Sequence, residues 1–330
     1  MMILTKAVLV MMISLIFSII TGMILIPILK KLKAGQRLSE YLEEEHKSKQ
    51  GTPTMGGLIF ILPTIFVMII MLIFGKIKLN TTLLIVIITF LFYAVIGFID
   101  DYLIVKRNNN EGLSESSKFI MQLIVAIIFF YLFMKSGNES LLWIHTIGLK
   151  LDIGFLYGIV ILLVLVSSSN AVNLTDGLDG LAGSLSLITF LTLGIISYST
   201  GWLEGYEEIS LFSFSLVGSL IGFLIFNLNP AKIFMGDTGS LALGAAMGSI
   251  AILTRHEILL VLIGIVFVIE TLTCIIQRVY YKFTKKRIFP MTPIHHTFEK
   301  KGYSENEIVK IFCLVGIISS MIAIIFGVVL

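Results

Sequence analysis

Five aspartates, Asp100, Asp101, Asp176, Asp179 and Asp237, sit in short polar segments of an otherwise apolar chain. If they share one face of the protein they repel one another. Two like charges 4 Å apart cost about 4 kcal/mol at an effective dielectric near 20. Such a cluster calls for a divalent cation, nearby lysines or raised carboxyl pKa values. Mg²⁺ takes one or two protein carboxylates and completes its shell with substrate phosphates, so the chemistry indicated is Mg²⁺-assisted work on a diphosphate. Asp100 and Asp101 close an apolar run, where acids oppose the helix dipole by roughly 0.3–1 kcal/mol each. Asp176 and Asp179 are three residues apart and share a face if helical. They lie in Asn170-Ala-Val-Asn173-Leu-Thr-Asp176-Gly-Leu-Asp179-Gly180, whose spacing does not match an EF-hand loop. Asp237 follows Asn227 and Phe234 in a glycine-flanked helix start, a place suited to capping or to phosphate oxygens.

Two further segments carry polar groups. Pro290-Met-Thr-Pro293-Ile-His295-His296-Thr-Phe-Glu299 follows the basic stretch Arg278 to Arg287. Its histidines read as phosphate contacts or proton donors, because the hard chemistry favours oxygen around the metal. The basic stretch itself suits either a substrate or anionic headgroups. Lys49-Gln-Gly51-Thr-Pro-Thr54-Met-Gly56-Gly57 is a glycine-rich segment, a weak signal alone. Lys118 opens a later apolar run and can face the same site.

The elements that must position these groups are membrane helices. The chain has 330 residues, 57% hydrophobic and 14% charged, with a mean hydropathy of +1.00. Soluble domains carry roughly 25% charged residues, so a soluble globular, disordered or disulfide-rich protein is excluded. A net charge of +3 gives no argument for a nucleic-acid partner. Cys274 and Cys313 both lie in apolar runs and read as small core residues. Apolar runs fall near 7–29, 57–75, 82–99, 119–134, 155–169, 181–199, 211–226, 241–253, 258–281 and 308–329. They predict an all-α integral membrane protein of about ten transmembrane helices, some tilted. The first run leads into Lys30, Lys31 and Lys33 without a small-residue cleavage site and reads as a retained span. Residues 141–155 alternate and predict a short external hairpin or surface helix. With ten spans, the loops near 30–56, 100–118, 170–180, 227–240 and 278–310 share one side and hold 18 of the 24 basic residues. The positive-inside rule puts them, and a shallow active-site cleft, in the cytoplasm with both termini outside. Residues 1–330 read as one polytopic domain. A transporter would place its ionisable groups at mid-span, and only Glu270 is clearly so placed.

Taken in order, Gly51-Thr-Pro-Thr-Met-Gly-Gly57, Phe98-Ile-Asp-Asp-Tyr102, Asn170 to Gly180, Phe234-Met-Gly-Asp-Thr-Gly-Ser-Leu-Ala-Leu-Gly244 and Pro293-Ile-His-His-Thr-Phe-Glu299 resemble the motifs of the phospho-N-acetylmuramoyl-pentapeptide transferases. These form a branch of the polyprenyl-phosphate N-acetylhexosamine-1-phosphate transferase superfamily. The resemblance covers nearly the whole chain. It implies ten spans with both ends outside, a bacterial plasma membrane, Mg²⁺, UDP-MurNAc-pentapeptide and undecaprenyl phosphate as substrates, lipid I and UMP as products, and a homodimer. By resemblance, Asp237 is the Mg²⁺ ligand, with Asp176 a second candidate. Asp100, with Asp101 beside it, resembles the residue that deprotonates the lipid phosphate. Asn170, Asn173, Asp176 and Asp179 resemble nucleotide and diphosphate contacts. Asn227, Phe234, Lys49, Lys118, Gln277, His295 and His296 match further positions of the cleft. Thr297 stands where many members carry a third histidine, so no imidazole role transfers to it.

Overall fold

The computed structural model describes residues 3–32, 49, 51–107, 112–144 and 148–329. Most of the basic loop 30–56 lies outside the described residues. The helices are α1 (Ile3–Lys31), α2 (Leu58–Ile73), α3 (Thr81–Arg107), α4 (Glu115–Lys135), α5 (Tyr157–Thr175), α6 (Leu181–Ser199), α7 (Tyr206–Asn227), α8 (Gly236–Leu253), α9 (Glu257–Ile263), α10 (Ile265–Thr284), α11 (Ile294–Lys300) and α12 (Glu305–Ile324). One antiparallel hairpin interrupts the helices. Its strands are β1 (Leu141–Ile144) and β2 (Leu149–Asp152), with Leu141 opposite Asp152, so the hairpin form of the 141–155 expectation holds.

Each apolar run becomes helical. Eight helices among the described residues are long and apolar enough to cross a membrane, or nine if α9 and α10 count as one. That pair bends by 89° across Gly264. The helix α2 has 16 residues and is shorter than a usual span.

Helix α8 is the axis of the bundle. Every residue from Thr238 to Leu253 is buried, and α3 and α5 pack along it. Bilayer lipid is as apolar as the helices, so close van der Waals packing must hold them together. Small residues permit it: a Cβ on Gly244 would lie 2.3 Å from the Ser168 carbonyl oxygen. Many buried hydroxyls donate to backbone carbonyls, as Thr89 does to Ile85 and Ser18 to Ser219. The outer helices α1, α4 and α12 keep most of their apolar surface outside the protein, as lipid-facing helices do.

Lys6 near the start of α1 pairs with Glu207 at the start of α7. Ser199 at the end of α6 donates to the Gly327 carbonyl after α12. Both chain ends are thereby tied to helix ends remote from Asp100, Asp176 and Asp237.

Candidate active site

The site forms where the C-terminal ends of α3 and α5 meet the N-terminal ends of α4 and α8. Gly97 allows α8 to approach α3, since a Cβ there would lie 2.0 Å from the Asp237 carbonyl oxygen. One turn on, Asp101 is 4% exposed. Its carboxylate accepts the N–H of Asp237 at 3.2 Å, and both the N–H and hydroxyl of Thr238 at 2.9 and 2.6 Å. An acid from α3 thus caps α8 and meets the positive end of its dipole. Asp101 is placed to position the backbone of Asp237. Gly97→Ala is expected to overpack this contact, costing roughly 1–3 kcal/mol. A thermal melt in detergent checks it, and an unchanged melting temperature would contradict the close approach.

The glycine-rich segment works on the same joint. Gly56 and Gly57 donate to the carbonyls of Phe234 and Met235 at 2.8 and 2.9 Å, and Phe234 donates back to Pro53. This segment is a backbone brace that sets the entry to α8. Phe234, expected to line the cleft, is half-buried on that brace.

Asp100 points the other way from Asp101, toward α4. Its Oδ1 accepts the Leu113 N–H at 2.9 Å and lies 3.2 Å from Lys118 Nζ. Ser114 caps α4 by accepting from Ser117, which puts Lys118 in the first turn. Lys118 Nζ is also 2.6 Å from Asp237 Oδ2. Asn173 Nδ2 donates to Asp237 Oδ1 at 2.7 Å and to Ser240 Oγ at 2.9 Å. Asp237 is therefore held by an ammonium on one oxygen and an amide on the other. Asp176 ends α5 beside this group. Burial first, then the charges of Asp237 and Asp101, push its carboxyl well above the usual range.

A second polar group is built around Asp179. Lys49 Nζ bridges Asp179 Oδ1 at 2.8 Å and Glu305 Oε2 at 2.7 Å. Asn229 and the Ala231 N–H donate to Asp179 Oδ2, and the Asp179 N–H donates to Glu305. Asn227 is buried, accepts from the Gly180 N–H and donates to the Ile233 carbonyl. It ties two loops together, with one hydrogen bond at each end of its amide.

The remaining expected residues sit around these two groups. Asn170 lies one turn below Asn173 on α5 and donates to the Val166 carbonyl at 2.8 Å and to Gln122 at 3.5 Å. Gln277 accepts from the N–H groups of Ile288 and Phe289 and donates to the Phe289 carbonyl, so it holds the basic loop. His296 Nδ1 lies 2.5 Å from Glu299. His295 is 0% exposed. Thr297 donates to the Met291 carbonyl at 2.6 Å. Thr238, Ser240, Glu305 and Glu270 are site partners that spacing did not single out for such a role. Thr238 and Ser240 lie within the run that carries Asp237, whereas Glu305 has no local signal.

Oxygen donors around a surplus of carboxylate suit a hard cation. Among the described residues no group of three metal-ligating His, Cys, Asp or Glu side chains is present. The arrangement can neutralise a polyanion, hold it against a fixed carboxylate and accept a proton from an incoming acid.

Comparison with known proteins agrees. Residues 83–255 match glycosyl transferase family 4, and residues 49–61 match signature 1 of the phospho-N-acetylmuramoyl-pentapeptide-transferases. The chain is 43% identical over 312 residues to the phospho-N-acetylmuramoyl-pentapeptide-transferase of Geobacillus thermodenitrificans, covering 94% of this chain and 95% of the relative. It is 45% identical over 319 residues to that of Staphylococcus epidermidis, covering 96% and 98%. The chain is thus a membrane-embedded member of glycosyl transferase family 4. Within that class the chain belongs to the phospho-N-acetylmuramoyl-pentapeptide-transferase family.

Proposed function

We propose that this protein transfers phospho-MurNAc-pentapeptide from UDP-MurNAc-pentapeptide to undecaprenyl phosphate, giving lipid I and UMP for peptidoglycan synthesis. The observation that carries the reading is Lys118 shared between Asp100 and Asp237 at the meeting of four helix ends, in a chain of this family. The nucleotide arrives from water and the lipid phosphate from the bilayer, and a joint at helix ends is open to both. On this reading the site faces the cytoplasm of a bacterial plasma membrane. The excess of basic residues in the loops at that end supports this side. The family resemblance supports a homodimer.

Phosphoryl transfer asks the protein mainly to position and to neutralise. Asp237, with Asp176, would hold Mg²⁺; both offer the oxygen donors that the ion prefers. When bound, the ion supplies charge neutralisation for the diphosphate and the departing UMP. Lys118 adds a positive charge on the face toward Asp100. Asn173 fixes the Asp237 carboxylate plane through Oδ1. Asp101 fixes its backbone. Asp100 accepts the proton of the lipid phosphate, whose dianion attacks the sugar-bearing phosphorus while the bond to UMP breaks. Lys49 and Asp179 form the second polar group, on the nucleotide side, and His295 balances charge near the diphosphate.

His295→Ala is expected to cut turnover well beyond tenfold, as loss of an electrostatic stabiliser worth about 2–4 kcal/mol does. Thr297→Ala should change turnover little and instead lower the melting temperature, because it orphans the Met291 carbonyl. Rates and melts of both variants check the pair, and equal losses of turnover would refute the ordering. The reading itself is tested by UMP release from purified protein given undecaprenyl phosphate and, separately, UDP-MurNAc-pentapeptide or UDP-GlcNAc. Release from the first donor alone is expected. Release from the second alone would make it a GlcNAc-1-phosphate transferase.

A further inference from the structure

Glu270 lies in α10, inside an apolar run, and is 0% exposed. A carboxylate at that depth persists only with a partner. The partner is His295, equally buried, whose Nδ1 lies 3.1 Å from Glu270 Oε1. The His295 N–H approaches Oε2 at 3.5 Å, so the acid meets both the ring and the backbone of the residue. The opposite edge of the ring is equally constrained. A Cβ on Gly177 would lie 2.4 Å from His295 Nε2, so that nitrogen abuts the turn that follows Asp176. Neither Nδ1 nor Nε2 has an aligned hydrogen-bond partner among the described residues, so Glu270 faces the Nδ1 edge at ion-pair distance. The imidazole is therefore clamped between an acid of α10 and the turn beside the acidic joint, with one nitrogen directed to each.

We propose that Glu270 is a positioning residue for the transfer reaction. Its carboxylate faces the Nδ1 edge of His295, favours a proton and positive charge on the ring, fixes the ring plane, and leaves Nε2 as the nitrogen turned toward the Asp176–Gly177 turn. This rests on the proposed role of His295 near the diphosphate. A carboxylate beside one ring nitrogen favours a proton there and orients the ring, and so sets what the other nitrogen can do. Packing alone does not account for the acid. An apolar residue of similar size would fill the same space in α10 without the cost of a buried charge.

The test has two readouts on full-length protein in nanodiscs. In the first, protein labelled with ¹⁵N-histidine is examined by solid-state NMR, and the His295 signals are assigned by their loss in His295→Ala. Nδ1 should be protonated in the wild type, and Glu270→Gln should shift the His295 signals. An unprotonated Nδ1, or signals indifferent to Glu270→Gln, would overturn the proposal. If Glu270→Gln fails to fold, the wild-type Nδ1 signal alone decides. In the second, Glu270→Gln should lower kcat roughly 10–100-fold, the range for loss of a group that orients a working imidazole. KM for the nucleotide donor should stay within about threefold. Added to His295→Ala, the same substitution should cost less than about twofold more. An equal loss in both backgrounds would mark Glu270 as structural and overturn the proposal. A His295→Ala protein with the wild-type rate would instead remove the role of His295, and the nitrogen signals would still decide the Glu270 contact.

Discussion

Asp237→Asn is expected to abolish turnover while leaving the protein folded. The carboxylate is the hub of the site: Lys118 lies 2.6 Å from one oxygen and Asn173 donates to the other at 2.7 Å. Asparagine keeps the shape and can still accept one of these contacts, and the cap from Asp101 to the backbone of residues 237 and 238 is untouched. What disappears is the negative charge that balances Lys118 and provides the best oxygen donor for Mg²⁺. Loss of one preorganised electrostatic group costs about 10²–10³ in kcat. Here the charge serves the lysine and the metal together, so the upper end or beyond is expected. UMP release at saturating substrates, with a melting temperature near that of the wild type, checks the prediction. Near-wild-type rates restored by excess Mg²⁺ would make Asp237 an affinity ligand only. An unchanged rate would remove it from the site.

Asp100→Asn is the second large effect. Asp100 is neighbour to Lys118 at 3.2 Å and is held by the Leu113 N–H. Two roles fit a carboxylate there: attack on the sugar phosphate to form an acyl-phosphate, or removal of a proton from the lipid phosphate in one displacement. The second is favoured. A phosphomonoester loses its last proton with a pKa near 6, and its dianion is nucleophilic without a covalent relay. Carboxylates around Asp100 would also repel a diphosphate approaching it as an electrophile. The rate of Asp100→Asn should fall at least about 10²-fold, the lower range for a positioned base. It should recover in part as pH rises from 6 to 8, since more lipid phosphate is then doubly ionised in bulk. Protein freed of lipid should not exchange labelled UMP into UDP-MurNAc-pentapeptide. Exchange under those conditions, or a phosphorylated Asp100, would establish the covalent route.

How far the chain could be read without coordinates differs from one residue to the next. Apolar runs marked the helices well because spanning a bilayer demands length and composition, both visible locally. The break at Gly264 was not visible, since residues 258–281 are apolar on both sides of it. The polar motifs named most of the groups in the acidic joint, as carboxylates between membrane helices are costly without a purpose. Their division of labour was hidden. Asp100 and Asp101 are adjacent in sequence, but the turn of α3 sends one to Lys118 and the other to cap α8. Lys118 and Asp237 are 119 residues apart, beyond any spacing rule. Asn227 and the glycines at 56 and 57 brace the loops, a task that neither an amide nor a bare backbone announces in sequence. Glu305 reaches Lys49 from the start of α12, a contact set only by helix packing.

The central claim is a stoichiometric exchange of one phosphoryl bond for another at this joint. Its most direct measurement follows purified full-length protein mixed with undecaprenyl phosphate, Mg²⁺ and UDP-MurNAc-pentapeptide labelled in the sugar. UMP and solvent-extractable sugar are counted together over time. The account predicts that they rise in equal amounts, that neither forms without the lipid, and that Asp237→Asn forms neither. UMP without lipid-linked sugar would describe a hydrolase, and movement of intact nucleotide sugar without UMP a transporter; either result would contradict the account.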